Sequence, residues 1–133
     1  MSLKVDKSIY LRAFNIQLIE LLEDIERVLP DNLDVLTMNK CILKLKKSNP
    51  KLLLTFWYKY IECQYGDKIA QDDFDYFLEK DYKTDCDGVK DESVILDGIE
   101  RIRGTVKMLD SKNKEISLNY IKNMCQLSKL YSI

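Results

Sequence analysis

The sequence predicts an all-α protein, a single compact bundle of five to six helices, and three observations support this class. Apolar residues recur at steps of three and four along most of the chain, which is the spacing of amphipathic helices. No segment shows the sustained alternation of apolar and polar residues that a half-buried strand needs. The 133 residues are enough for one domain, so residues 1–133 are predicted to form a single helical domain.

The first helix is predicted over residues 8–29. Ser8 can cap its start, and Pro30 ends it because the residue before a proline is pushed out of the helical conformation. An apolar stripe along one face buries that face and leaves the charged residues between its members in solvent. The stripe consists of Tyr10, Phe14, Leu18, Leu21, Ile25 and Val28.

The second helix is predicted over residues 33–47, with Asp31 or Asn32 as its cap. The third is predicted over residues 50–65, because the proline at its first position lacks an N–H that the start of a helix does not use. Gly66 is expected to end it. This third helix is expected to supply the centre of the core, through Leu53, Trp57, Tyr60 and Ile61.

Residues 67–92 carry ten acids against four lysines, in a chain whose net charge is −1. Asp72 followed by Asp75 predicts the start of a short fourth helix. Residues 83–90 are expected to form an exposed acidic loop between the fourth and fifth helices. That loop contains Asp85 and Asp87.

Two further helices are predicted, over residues 91–109 and 114–131, with a turn at residues 110–113 between them. Gly98 and Gly104 lie inside the first of the two. Each glycine costs about 1 kcal/mol relative to alanine in a helix, so a close helix contact or a bend is expected there.

Several chemistries are excluded by composition. The chain has no histidine, so it has no histidine base and no histidine metal ligand. No CxxC pair occurs, and the four cysteines are expected to be small buried hydrophobes, although their even number also permits a disulfide framework. The four are Cys41, Cys63, Cys86 and Cys125.

No catalytic, cofactor-binding or metal-binding residue is predicted, and we expect the protein not to be an enzyme. A calcium loop with Gly88 at its sixth position would place Lys83 first and Val94 twelfth, and neither can coordinate calcium. The glycines are scattered, so no phosphate-binding loop occurs. No signal peptide and no apolar run of membrane-spanning length is recognisable, so the protein is expected to be soluble and not secreted.

A lysine face on the second helix is the first candidate contact surface. Its members recur at helical spacing or lie directly beside those that do, and they are Lys40, Lys44, Lys46, Lys47 and Lys51. Clustered cations can bind phosphates, and the aromatic residues at 56–60 follow closely, as single-strand binding would need. The simpler interpretation is a solvated helix face beside core aromatics, because arginine is scarce and the chain is not basic overall.

Arg101 and Arg103 on the fifth helix form a second candidate surface. They can pair with the acidic segment 67–92 within the molecule, or with the acidic surface of a partner. Asp85 and Asp87 are the acidic candidates for such a contact.

Six short strings occur in order along the chain: residues 14–18 (FNIQL), 45–51 (LKKSNPK), 77–82 (FLEKDY), 99–103 (IERIR), 120–123 (YIKN) and 127–131 (LSKLY). With these strings, the chain resembles an uncharacterised family of small helical proteins encoded by large (giant) double-stranded DNA viruses of eukaryotes. The resemblance extends over residues 14–131. It implies a viral setting, in the host cytoplasm (the viral factory) or in the virion, and no catalytic residues.

Three functional hypotheses remain open. The leading one is a non-enzymatic viral protein that acts by protein–protein contact or self-association, as a virion component or assembly factor. The first alternative is a nucleic-acid-associated protein that uses the lysine face. The second is a host-interaction module, which would need an exposed apolar groove.

Overall fold

The structure, a computed structural model, describes residues 6–79 and 90–133. Every regular element in these two ranges is helical, which confirms the all-α prediction. The helices are α1 (Ser8–Val28), α2 (Leu33–Ser48), α3 (Leu52–Trp57), a π-helical segment (Tyr58–Glu62), α4 (Cys63–Ala70), α5 (Phe74–Glu79), α6 (Lys90–Met108) and α7 (Ser111–Ser132). The predicted acidic loop, with Asp85 and Asp87, lies outside the described residues.

The first two helices have the predicted positions, with one difference in capping. Asn32 caps α2 as expected, since its Oδ1 accepts a hydrogen bond from the Val35 N–H at 3.2 Å. Ser8 does not cap α1. It is instead the first helical residue, and its N–H donates to Oδ1 of Asp6 at 3.0 Å.

The third helix continues past its predicted end, because α3, the π-helical segment and α4 follow one another without a break from Leu52 to Ala70. Gly66 therefore lies inside the helix, and the prediction that it ends the helix was wrong. The reason is tertiary: Tyr65 and Ile69 on either side of it are buried in the core. Their burial outweighs the roughly 1 kcal/mol that a glycine costs within a helix.

The π-helical segment keeps one side of this long helix facing the core. Along the whole helix, five buried residues recur every four positions: Leu53, Trp57, Ile61, Tyr65 and Ile69. In a regular α-helix of 3.6 residues per turn, five residues spaced in this way drift around the axis by about 160°. The wider π turn at Tyr58–Glu62 absorbs part of this drift.

α4 ends in a Schellman motif, which the sequence did not reveal. The N–H of Asp73 donates to the carbonyl of Lys68 at 2.8 Å, and the N–H of Asp72 donates to that of Ile69 at 3.0 Å. Asp72 has a φ of 62°, in the left-handed region that aspartate tolerates better than most residues. Asp72 thus closes α4, and the prediction that it starts the next helix was wrong.

α6 and α7 are joined more tightly than predicted. Asp110 caps α7 by accepting a hydrogen bond from the Asn113 N–H at 2.8 Å, so the helix begins at Ser111. The expected close contact at the glycines of α6 is not found. A Cβ built on Gly98 or Gly104 would meet open space within 4 Å among the described residues.

The core is built around an antiparallel pair, α1 and α7, which make the most extensive helix contact. Lys7, before α1, donates a hydrogen bond to the carbonyl of Ile133, after α7. The third helix crosses this pair, and Phe14 meets Trp57 edge to face with centroids 6.1 Å apart. Other fully buried members of the core include Leu21, Ile25, Val35, Leu54, Ile121 and Met124.

Two buried asparagines tie α1 to its neighbours. Nδ2 of Asn39 on α2 donates to the carbonyl of Leu22 at 3.2 Å, within the α1–α2 contact. Nδ2 of Asn15 donates to the carbonyl of Pro50 at 3.1 Å, in the turn between α2 and α3. The second bond holds the turn that carries Lys51 against α1.

The expectation that every cysteine is buried was wrong for two of the three described ones. Cys125 is buried, whereas Cys41 and Cys63 are exposed, and all three are free thiols. Both exposed cysteines lie off the buried stripe of their helix, which consists of Val35, Met38 and Ile42 in α2 and includes Ile61 and Tyr65 in the third helix. Cys86 lies outside the described residues.

Candidate functional site

The predicted lysine residues form one surface where α2 passes into α3. Lys40, Lys44 and Lys47 are exposed along one face of α2, over about 10 Å of helix rise. Lys51 is exposed in the following turn, and Lys46 is half-buried. We call these five residues the lysine surface.

None of these five lysines forms an ion pair with a described residue, whereas other cations of the protein do. Arg27 pairs with Asp24 and Lys122 pairs with Asp72. The stretch of chain that carries the lysine surface also lacks acids: residues 35–61 contain six lysines and neither aspartate nor glutamate. The five lysines are therefore separated from acids along the sequence, and no ion pair joins them to an acid among the described residues.

The helix dipole explains the positions of two of these five lysines. Cations in the last turn of a helix interact favourably with its dipole, and Lys46 and Lys47 occupy the last turn of α2. That explanation does not extend to Lys40 and Lys44, which lie further back, or to Lys51, which precedes α3. Leu43 lies among them with 48% of its surface exposed, which adds an apolar contact to the charged surface.

Two of the aromatic residues near the lysine surface, Trp57 and Tyr60, are turned inward, whereas Phe56 and Tyr58 are half-buried. Trp57 and Tyr60 are each only 4% exposed, and Phe56 is half-buried with its ring stacked on that of Tyr60 at 5.7 Å. Single-strand binding needs aromatic faces that bases can reach. The arrangement therefore offers cations and an aliphatic side chain, and Trp57 and Tyr60 offer no stacking platform.

The structure separates the two arginines of the second candidate surface. Arg101 pairs with Asp34 at the start of α2, with 2.8 Å between Nη1 and Oδ1. Arg103 is buried and pairs with Glu100 one turn earlier on α6. A contact with another molecule therefore has better access at the lysine surface than at Arg103.

Four described acids are exposed at the opposite end of the long third helix. Asp67 is in the last turns of α4, Asp72 and Asp73 follow its end, and Asp75 is in the first turn of α5. Of the four, Asp72 is paired, with Lys122 of α7 at 2.9 Å. We call these residues the acidic corner.

A cleft of about 440 Å³ between α4 and α7 was not anticipated from the sequence. Its lining is mostly apolar, with Ile69, Ala70 and Leu130 among its members, and includes Glu62 and Lys129. The signal that could have indicated it is an acid within the apolar stretch of the third helix, four residues before Gly66.

Glu62 sits in this cleft because Gly66 leaves room for it. A Cβ on Gly66 would come within 2.3 Å of the Glu62 carboxylate. Burial raises the pKa of Glu62, and the charge of Lys129 and a hydrogen bond from the Cys125 thiol lower it in part. Burial also raises the pKa of Cys125, whose Sγ accepts a hydrogen bond from Trp57 Nε1 at 3.3 Å, so the thiol stays protonated and unreactive.

We expect Glu62→Gln to raise the melting temperature at neutral pH. A carboxyl whose pKa is higher in the folded state destabilises the fold when ionised, above its unfolded pKa, and this cost disappears as the pH falls through the folded pKa. Thermal melts of both proteins from mildly acidic to neutral pH measure the effect. The gain from the substitution should shrink toward acidic pH, and a gain that grows there would contradict this account of Glu62.

Among the described residues, no group of three or more histidine, cysteine, aspartate or glutamate side chains is placed to hold a metal ion. No helix in residues 6–79 and 90–133 is long and apolar enough to cross a membrane. Comparison of the chain with known protein families, curated proteins and solved structures finds no match in any of the three. The site is therefore interpreted from its own chemistry.

Proposed function

We propose that this protein is a non-enzymatic viral helical protein that acts by protein–protein contact, as a virion component or assembly factor. The observation that supports contact is the lysine surface: five cations, four of them exposed, without ion-pair partners among the described residues. The resemblance at residues 14–131 supports the viral setting, in the virion or in the host cytoplasm. The partner that fits the surface is a protein with an acidic face.

A protein partner fits this surface better than a nucleic acid for two reasons. The exposed Leu43 among the lysines can pack against an apolar side chain of a protein, whereas the phosphates of a nucleic acid offer no apolar contact for it. The buried Trp57 and Tyr60 are withdrawn from base stacking. Nucleic-acid binding through the same lysines is the alternative, and its signature is affinity for an oligonucleotide that falls steeply with salt.

We expect Lys44→Glu with Lys47→Glu to weaken binding to an acidic helical peptide. The probe is a labelled synthetic peptide with glutamate and leucine at helical spacing, measured by fluorescence anisotropy beside a mixed-sequence oligonucleotide. The loss of affinity should be about tenfold or more, equivalent to about 1.4 kcal/mol.

The matched control is Lys112→Glu with Lys114→Glu, on the first turns of α7 and away from the lysine surface. Both double variants have the same net charge, so a general charge effect would weaken binding equally. The control should retain peptide binding. Binding of the oligonucleotide without the peptide would favour the nucleic-acid alternative, and binding of neither would reduce the lysine surface to a solvated helix face.

A further inference from the structure

One continuous helix separates Lys51 of the lysine surface from the acidic corner. Lys51 directly precedes α3, and Asp72 and Asp73 directly follow α4. From Leu52 to Ala70, at 1.5 Å of rise per residue, this helix is about 28 Å long. That length exceeds the Debye length of about 8 Å at physiological salt, so Lys51 and Asp73 cannot neutralise each other within one molecule.

Helix dipoles account for some of these charges and not for others. Asp73 directly precedes α5 and Asp75 lies in its first turn, where the dipole favours acids. Asp72 follows the end of α4, where a cation is favoured, and Lys68 in the last turn offsets part of this. Lys51 precedes α3, whose first turn has no acid to offset it, so the dipole of α3 does not explain that lysine.

We infer that the acidic corner of a second copy of this chain occupies the lysine surface, in a head-to-tail association. This inference rests on the proposed function and names the partner. Two different patches meet in such a contact, so it is heterologous and extends into a ring or an open assembly. Lys40, Lys44 and Lys47 of one copy face Asp67, Asp73 and Asp75 of the next, and every one of these side chains is exposed in the single chain.

The test combines salt dependence with complementary charge reversal. We expect the wild-type mass, measured by light scattering after size exclusion, to rise with concentration at about 10 mM salt, where the Debye length is about 30 Å. At about 1 M salt, where it is about 3 Å, the protein should be a monomer. The first variant is Lys44→Glu with Lys47→Glu, and the second is Asp67→Lys with Asp75→Lys. The second leaves Asp72 and its ion pair with Lys122 unchanged.

Each variant alone should be a monomer at low salt, because the two substitutions remove most or all of the net charge from one of its two surfaces. An equimolar mixture should associate, since the lysine surface of the second variant meets the acidic corner of the first. The Lys112→Glu, Lys114→Glu control should associate like the wild type. Far-UV circular dichroism verifies that each variant is folded, and rescue by mixing requires two folded chains.

Monomeric wild-type protein at low salt would overturn the inference, as would self-association of either charge-reversed variant or a failure of the mixture to associate. Failure of the proposed function looks different. If the wild type stays monomeric yet binds the acidic peptide through Lys44 and Lys47, the partner is another protein and the proposed function stands. If neither association nor peptide binding occurs, both fail.

Discussion

Replacing Trp57 by alanine is expected to lower the free energy of unfolding by about 3–5 kcal/mol. The side chain is only 4% exposed and joins three helices. Its ring meets the edge of Phe14 on α1, and its Nε1 donates to Sγ of Cys125 on α7. Truncation removes both contacts and leaves a cavity at the point where the third helix crosses the α1–α7 pair.

Urea unfolding followed by circular dichroism measures this loss, since the variant lacks the chain's single tryptophan and cannot be followed by its fluorescence. Trp57→Phe is the matched control. It keeps an aromatic ring against Phe14 and loses the hydrogen bond to Cys125, so its cost should be about 1–2 kcal/mol. An alanine variant no less stable than the phenylalanine variant would show that Trp57 does not hold the helix crossing together.

Replacing Asn39 by aspartate is the second large effect, with an expected loss of about 3–5 kcal/mol at neutral pH. Asn39 is 7% exposed, and its Nδ2 donates to the carbonyl of Leu22 at 3.2 Å. Its Oδ1 is buried without a hydrogen-bond partner among the described residues. A carboxylate there cannot donate to Leu22 and places a negative charge in the buried α1–α2 contact, where Oδ1 has no donor among the described residues.

The pH dependence identifies the buried charge as the cause. Burial raises the pKa of the introduced carboxyl above its unfolded value, so the loss is complete at neutral pH and shrinks as the pH falls through the folded pKa. Asn39→Leu removes both polar groups at similar volume and should be far less destabilising. Equal losses for the aspartate and leucine variants at neutral pH, measured by urea unfolding, would contradict this explanation.

The hydrogen bond from Asn15 connects the core to the lysine surface. It fixes the carbonyl of Pro50, and Lys51 follows directly. The lysine surface therefore combines a rigid helix face on α2 with a turn that is anchored to the core. A surface whose cations are held in place loses less conformational entropy on binding than one on a free loop.

Sequence patterns confined to a few neighbouring residues were sufficient to predict most of the helices. The stripe that contains Phe14, Leu18 and Leu21 predicted α1 with its buried face, and the Asn32 cap predicted the start of α2. The spacing of the lysines at 40, 44 and 47 also predicted that they share a face. These features depend on local geometry, capping and the 3.6-residue period, which a single sequence displays directly.

Other features depend on contacts between distant parts of the chain. Gly66 signalled a helix end, but burial of Tyr65 and Ile69 carries the helix through it, and a π-helical segment keeps their side of the helix toward the core. Cys41 and Cys63 resemble core residues by type, and the packing of their neighbours leaves them exposed. The cleft around Glu62 forms between helices that lie far apart in sequence.

One physical reason separates the features that the sequence predicts from those that only the tertiary structure decides. The helical period, capping and charge spacing are properties of neighbouring residues, and from these the chain specifies an all-α bundle with lysines along one face of α2. Whether Arg103 becomes buried, or Lys44 has no ion-pair partner among the described residues, depends on which helices pack together, and that is a balance of burial and desolvation over the whole molecule. Tertiary packing thus carried one continuous helix from Lys51 of the lysine surface to the acidic corner.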